Sequence, residues 1–431
     1  VAAKKTFALD STALMLPYSI SKRMPPVYRF VLTLNEEIRP AELKQAVHDL
    51  MPRFPFMYTR LRRGFIWDHL EEAPDCDIVE EDDGQLCRPF DYRGEKPLFR
   101  VLYRNNDLMV ELTHFTNDGC SATVYICSLA ARYLELRGHA IEKNHFALDC
   151  HDEPTQSELA DAFLDAYEKP KKKIRQISPP AFQGPGKRLD NCLRATVAEI
   201  PVDAMKALLK QKYGGCTITE YLTAVYAFAF LQLYEAGDKR KPVRLQVPAN
   251  LRHFFESDSL RNFSAVSNIP VLPQQESYGF EDVLEVVARE MKEKLTRERM
   301  QAFVYQNVRY LKILNFVPGF LKRLALILLA LVAERVWPFS SGITNIGYIP
   351  LPPSLAQHVR RYAIILGRFG VNRTICAATG VNNTMAVAFS AANETTNIQD
   401  FCIRFWKRDG LPVRVTDGAE STTQEEHSYA K

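Results

Sequence analysis

The chain has no Cys-x-x-Cys pair, and its nine cysteines are scattered singly along 431 residues. That rules out a zinc-ribbon or thioredoxin-like motif, and the odd total argues against a disulfide framework. Free, mostly buried thiols in a reducing cytoplasm fit better. His145, Cys150 and His151 lie close together but have no second ligand cluster, so no metal is expected. No glycine-rich phosphate loop, internal repeat or signal peptide at Val1 is evident. The apolar run 324–333 has ten residues, bracketed by Lys322, Arg323, Glu334 and Arg335. A membrane span needs about 20, so a buried helix is expected, with a membrane-surface helix and peripheral membrane contact as the alternative. Charge of one sign is also lacking. The net charge of +4 is too small to point to nucleic acid, and the basic run Lys171, Lys172, Lys173 and Arg175 reads as a solvated linker.

What is present is ordinary for a globular protein, with 46% hydrophobic and 25% charged residues. The length suffices for two domains or one two-lobed unit. Residues 28–34 read as a strand. Residues 40–51 read as an amphipathic helix with Pro40 at its first position and Leu43, Ala46, Val47 and Leu50 on one stripe. The stretch 168–187 turns to Pro, Lys, Gly and Ser without periodicity and reads as a crossover. A strand is expected over 192–200, and Thr217 with Glu220 forms a capping box ahead of a long apolar helix. Further on, 244–252 reads as a strand, 280–303 as one long charged helix and 373–391 as a hairpin turning near Asn382 and Asn383. A closing helix over 397–409 ends at Gly410. These elements divide the chain into a first lobe over 1–170, a linker over 171–190, a second lobe over 191–415 and a disordered tail over 416–431.

The stretch with chemical content is His114-Phe-Thr-Asn-Asp118-Gly119. Before it, Leu108, Val110 and Leu112 alternate as in a strand buried on one face, which points His114 the same way. A turn follows, then a helix for which Ser121 is the expected cap and Gly138 the C-terminal stop. A histidine at a strand end is the side chain best suited to take a proton near neutral pH.

His-x-x-x-Asp-Gly between a strand and a helix resembles the active-site motif of the CoA-dependent acyltransferase superfamily. That group includes chloramphenicol acetyltransferase, plant BAHD acyltransferases, wax ester synthases and peptide-synthetase condensation domains. Several members carry a second histidine ahead of the motif, where this chain has Thr113. Other phrases follow the family order. Arg53-Phe-Pro with Leu61-Arg62, Arg88-Pro-Phe-Asp-Tyr and Pro97-Leu-Phe-Arg100 precede the histidine. Pro248-Ala-Asn-Leu-Arg252 and Thr344-Asn345-Ile-Gly347 come later, similar to alcohol acetyltransferase-like members. The resemblance spans roughly residues 10 to 412. It implies an α/β (α+β) fold of two chloramphenicol-acetyltransferase-like lobes, each a mixed β-sheet flanked by helices, with a tunnel between them.

By the same resemblance His114 is the general base, Asp118 is structural and held by an arginine, and Gly119 leaves room for the substrates. Arg252 is the candidate arginine, although an exposed strand-end arginine fits the sequence equally well. Thr344 is the candidate oxyanion donor or simply strand filler, and Asn345 is expected to fix the strand. No covalent acyl-enzyme is implied, so Cys120 is treated as packing. The co-substrate would be acyl-CoA and the acceptor a small alcohol or amine, with no permanently bound cofactor and a monomeric, cytoplasmic enzyme. Two other readings stay open: a condensation-like enzyme fed by a carrier-protein thioester, and a non-catalytic protein of the same fold.

Overall fold

The computed structural model describes all residues except 1–3, 20–26, 74–76, 172–178, 185–188, 190–191, 235–240, 273–278, 369–371, 394, 396 and 423–431. Its strands form three sheets. A small one has the order β1 (Thr6–Ala8), β4 (His69–Glu72), β3 (Thr59–Arg62). A five-stranded sheet has the order β12 (Val359–Leu366), β2 (Val27–Leu34), β7 (Asp107–Thr113), β6 (Phe99–Arg104), β5 (Val79–Glu81). A seven-stranded sheet has the order β10 (Ser264–Val271), β9 (Val243–Asn250), β11 (Ser341–Tyr348), β13 (Thr374–Val381), β14 (Thr384–Ala391), β8 (Cys192–Pro201), β15 (Arg414–Thr422). Both larger sheets are mixed: β11 runs parallel to β9 and β13, and β5 runs parallel to β6.

The first lobe is built on β2 and β7. Each lies between two partners and is covered on both faces, so β7 is buried on both sides rather than on the one expected from its alternation. Leu108, Val110 and Leu112 face the apolar core beneath the helix Gly119–Leu136, together with Leu43, Ala46 and Leu50 of the helix Pro40–Leu50. Met109 faces the opposite way. There it joins Val31, Ala363 and Ile365 against Val197, Ala386 and Ala388 of the seven-stranded sheet. The second lobe packs its sheet under the helix Ile218–Leu231, whose capping box at Thr217 and Glu220 forms as the sequence predicts.

The hairpin also forms where expected. Asn382 and Asn383 take φ of 47° and 59°, values asparagine tolerates better than most residues in a two-residue turn.

Several expectations need correction. The two lobes do not separate at the linker: β12, from the second half of the chain, completes the first lobe's sheet by pairing with β2. Of the linker, 171, 179–184 and 189 are described, and the last seven lie against the second half, with Ala181 N–H donating to Trp337 O, Phe182 N–H to Pro242 O and Leu189 N–H to Ala392 O. Of the basic run only Lys171 is described. The tail is not wholly unstructured, because β15 runs to Thr422 as an edge strand on β8, while 423–431 lie outside the described residues. The expected long helix is two, Phe280–Lys294 and Arg297–Leu314, since Thr296 accepts the N–H of Arg299 and starts a new helix. Lastly, the helix Gly319–Val336, expected to be buried, exposes Phe320, Leu321, Leu324, Ile327, Leu328 and Leu329.

Candidate active site

His114 follows β7 directly, at the mouth of the turn that leads into the helix Gly119–Leu136. That helix is capped by Asp118 rather than Ser121. The Asp118 carboxylate accepts the Ser121 N–H at 3.0 Å, and Ser121 Oγ donates to the same oxygen at 3.0 Å. Gly138, at φ 91°, ends the helix as expected. The opposite carboxylate oxygen of Asp118 takes Arg252 Nη1 at 2.8 Å and the Phe263 N–H at 2.8 Å. Arg252 sits on the one-turn helix Leu251–His253 after β9, and it also donates to Ser259 O, Arg261 O and Ser121 Oγ. Asp118 therefore ties the motif loop to the second half of the chain. Burial works to raise its pKa, but Arg252 and these donors outweigh it and hold the carboxyl below the usual range.

The His114 ring has a partner that local sequence does not advertise. Asn262 Oδ1 lies 3.2 Å from Nδ1, while Asn262 Nδ2 donates to the His114 carbonyl at 2.9 Å and to Asp10 Oδ2 at 2.7 Å. With the amide nitrogen committed to two oxygens, Oδ1 must face the ring, so Nδ1 carries the proton and Nε2 keeps its lone pair. Tyr28 packs on the ring with centroids 4.6 Å apart and donates its hydroxyl to Asn117 O at 2.6 Å, closing the turn. Burial lowers the His114 pKa below its ordinary value, against the opposing pull of Asn262 and Asp118. The imidazole is thus neutral at physiological pH, the form a proton acceptor requires. Behind it, Asp10 accepts the Thr12 and Ala13 N–H groups, and burial pushes its carboxyl up to about 6 despite Arg261 nearby.

Glu111 anchors the strand three residues earlier. It is fully buried and accepts Arg29 Nε at 2.8 Å, Arg100 Nε at 2.8 Å and the Cys87 N–H at 2.7 Å. A buried charge is tolerable only with such partners.

The second lobe reaches the motif at Gly119. A Cβ there would lie 2.8 Å from Ile346 Cδ1, so the absent side chain leaves room for β11 to pass. On the other side, Asn250 at the end of β9 donates to Cys120 Sγ. β9 and β11 pair only at Ser341 and Gly342 and then part, so Gly119 and Cys120 sit where the two strands diverge. Burial pushes the Cys120 thiol up to about 12, so it is no thiolate nucleophile.

The structure brings Arg252 to the motif through its bond to Asp118, which Gly119 follows directly and His114 precedes by four residues. Thr344 and Asn345 lie on β11, which touches the motif through Ile346. Asn345 fixes that strand, donating to Thr219 Oγ1 at 2.9 Å and accepting the Gly347 N–H at 2.9 Å. Thr344 is half-buried, and its hydroxyl makes no hydrogen bond to a described residue. Asn262, Asp10 and Tyr28 were missed. Asp10-Ser-Thr is an ordinary turn sequence, and Asn262 falls in no motif, lying 148 residues from His114. The Asp149, Cys150 and His151 ligand atoms lie within 4.8 Å of one another in a surface turn, without His145. Burial raises the Cys150 pKa, which disfavours the thiolate a metal would need.

No family model matches the sequence, and no curated protein sequence matches it. Solved structures do. Polyketide synthase associated protein 5 from Mycobacterium tuberculosis aligns with TM-score 0.56 at 14% identity, over 93% of this chain and 97% of that one. The trichothecene 15-O-acetyltransferase of Fusarium sporotrichioides aligns with TM-score 0.58 at 10% identity, over 92% and 94%. The starter condensation domain of rhizomide synthetase, in complex with C8-CoA, aligns with TM-score 0.57 at 13% identity, over 94% of each chain. The chain therefore shares the two-lobed fold of these solved acetyltransferase and condensation-domain structures.

Proposed function

We propose that the protein moves an acyl group, acetyl or another short chain, from acyl-CoA to the hydroxyl of a small alcohol, an amine being the other acceptor of this chemistry. The observation that carries the reading is the His114 ring, neutral and held at Nδ1 by Asn262, which leaves Nε2 as the nitrogen to accept a proton. In this reaction Nε2 takes the acceptor's hydroxyl proton as its oxygen attacks the thioester carbonyl. The tetrahedral oxyanion then collapses, the carbon–sulfur bond breaks, and the imidazolium returns the proton to the thiolate to give CoA-SH. Thr344 is the proposed hydroxyl donor to the oxyanion. Asp118, Arg252 and Asn262 are positioning residues. The two substrates meet at Gly119, one from each side of the lobe junction, and holding them there supplies much of the rate gain. The enzyme needs no resident cofactor and works as a cytoplasmic monomer without nucleic acid.

The competing donor is a carrier-protein thioester, favoured by the likeness to a condensation domain and opposed by Thr113, where condensation domains carry histidine. Incubation with several acyl-CoAs and candidate alcohols or amines, following free thiol, tests both. Short acyl-CoA should saturate turnover without added protein, and His114→Ala should lower turnover at least about a hundredfold. The acidic limb of kcat/KM should fall below the ordinary histidine value. Acyl-pantetheine should bind more weakly than acyl-CoA with little change in the chemical step, because the distant phosphates contribute uniform binding. If an acylated carrier protein far outperforms both, the donor assignment fails. Near-normal thiol release by His114→Ala would remove the base.

A further inference from the structure

Between Gly319 and Leu329 the helix Gly319–Val336 turns its large apolar side chains outward. Phe320, Leu324, Ile327 and Leu328, spaced i, i+4, i+7, i+8, share one face, and each is exposed, Leu324 at 53%. Leu321 and Leu329 add exposed apolar surface at its flanks. The inward side carries a cation instead. Lys322 is only 3% exposed, donates to Ile66 O at 2.7 Å and lies over the Trp67 ring at 3.1 Å, with Tyr18 beside it. Two more aromatics extend the patch at the start of the helix. Phe316 is 87% exposed in the preceding turn, and Phe65 is 75% exposed with its carbonyl accepting the Gly319 N–H. Scattered apolar residues need no explanation, but a continuous patch on one helix face does.

The charges beside this face say what covers it. Arg63 lies within electrostatic reach of Arg93 and Arg323, with the Asp68 carboxylate opposing them, and Arg323 lies 6.0 Å from the Tyr18 ring; among the described residues none of the three arginines makes an ion pair. Burial and the other two arginines depress the Arg63 pKa. An apolar helix face with a basic flank suits an anionic lipid surface, where the side chains enter the acyl boundary and the arginines meet phosphates. A two-fold pairing of copies through this face would gather the arginines of both copies at one interface. The helix is too short in apolar length to span the bilayer, as is every other helix among the described residues.

We propose that the outward face of the helix Gly319–Val336, with Phe65 and Phe316, docks the protein onto anionic membrane surfaces, lying in the interface rather than across it. The consequence reaches the site, because the segment from Asp10 to Tyr18 runs from the Asn262 contact behind His114 to the Lys322 cluster beneath this helix. A membrane-bound enzyme would hold this side of the site close to amphiphilic molecules.

The test is co-sedimentation of the full chain with phosphatidylcholine vesicles, with and without phosphatidylglycerol. Binding should require phosphatidylglycerol and weaken with salt. The variant Leu324→Glu/Ile327→Glu/Leu328→Glu should lose more than about tenfold of it without a fall in melting temperature, since these side chains face outward. Arg63→Glu and Arg323→Glu should each cost about fivefold. No binding to phosphatidylglycerol vesicles at low salt would overturn the proposal. So would a doubled mass in light scattering that the Leu324 variant abolishes, which would assign the face to a second copy.

Discussion

Two buried carboxylates bracket His114, and arginines hold them in different ways. Glu111 sits inside one sheet: Arg29 comes from β2, Arg100 from β6 and the Cys87 N–H from the loop between β5 and β6. Every partner belongs to the first lobe. Asp118 divides its two oxygens between Ser121 on its own helix and Arg252 with Phe263, 134 and 145 residues along the chain. The same chemical unit thus stiffens a strand in one place and aligns two halves of the chain in the other. Glu111 should matter mainly to stability, and Asp118 to stability and rate together.

The largest effect on stability is expected from Glu111→Ala. Removing this carboxylate leaves Arg29 without its closest ion-pair partner and Arg100 without an ion pair among the described residues, a loss of about 3–5 kcal/mol. Denaturant midpoints give the number, and a loss below about 1 kcal/mol would break the comparison. Asp118→Asn keeps the shape but brings an amide nitrogen toward either the Ser121 N–H or Arg252 and the Phe263 N–H, which should cost about 2 kcal/mol and lower turnover as well. A large rate loss with an unchanged melting temperature would instead make Asp118 a direct participant.

Asp10 sharpens the contrast through pH. Its carboxyl is pushed from an ordinary 3.8 up to about 6, so the folded protein holds this proton more tightly than the unfolded chain does. The contribution to stability therefore falls as pH rises through that window, and Asp10→Asn should flatten the slope in melting experiments. A variant as pH-sensitive as the wild type would refute the assignment. Thr344→Val should change stability by less than about 0.5 kcal/mol, since its hydroxyl makes no bond to a described residue. If it is the oxyanion donor, turnover drops by about a hundredfold regardless. Unchanged turnover would leave Thr344 as strand filler.

Much of the fold was legible because its signals are local. Pro40 opening its helix, the Thr217 capping box, the Asn382–Asn383 turn and Gly138 closing the helix after the motif each act within a few residues. The misplaced cap has the same origin. Asp118 and Ser121 are both good capping residues, and only the seated carboxylate shows which one accepts. The helix Gly319–Val336 misled for a different reason: an apolar run says that surface is to be covered but not by what.

The sequence by itself determined that a histidine ends a strand, that an Asp-Gly turn follows, and that Arg252 is available after a later strand. These depend on spacing, which backbone geometry converts directly into direction. The tertiary structure alone decided that β12 returns to β2, that Asn262 and Asp10 stand behind His114, and that Arg252 reaches Asp118. Those pairings join residues more than a hundred positions apart. Such contacts are chosen by the packing of whole sheets, so no short window of sequence encodes them.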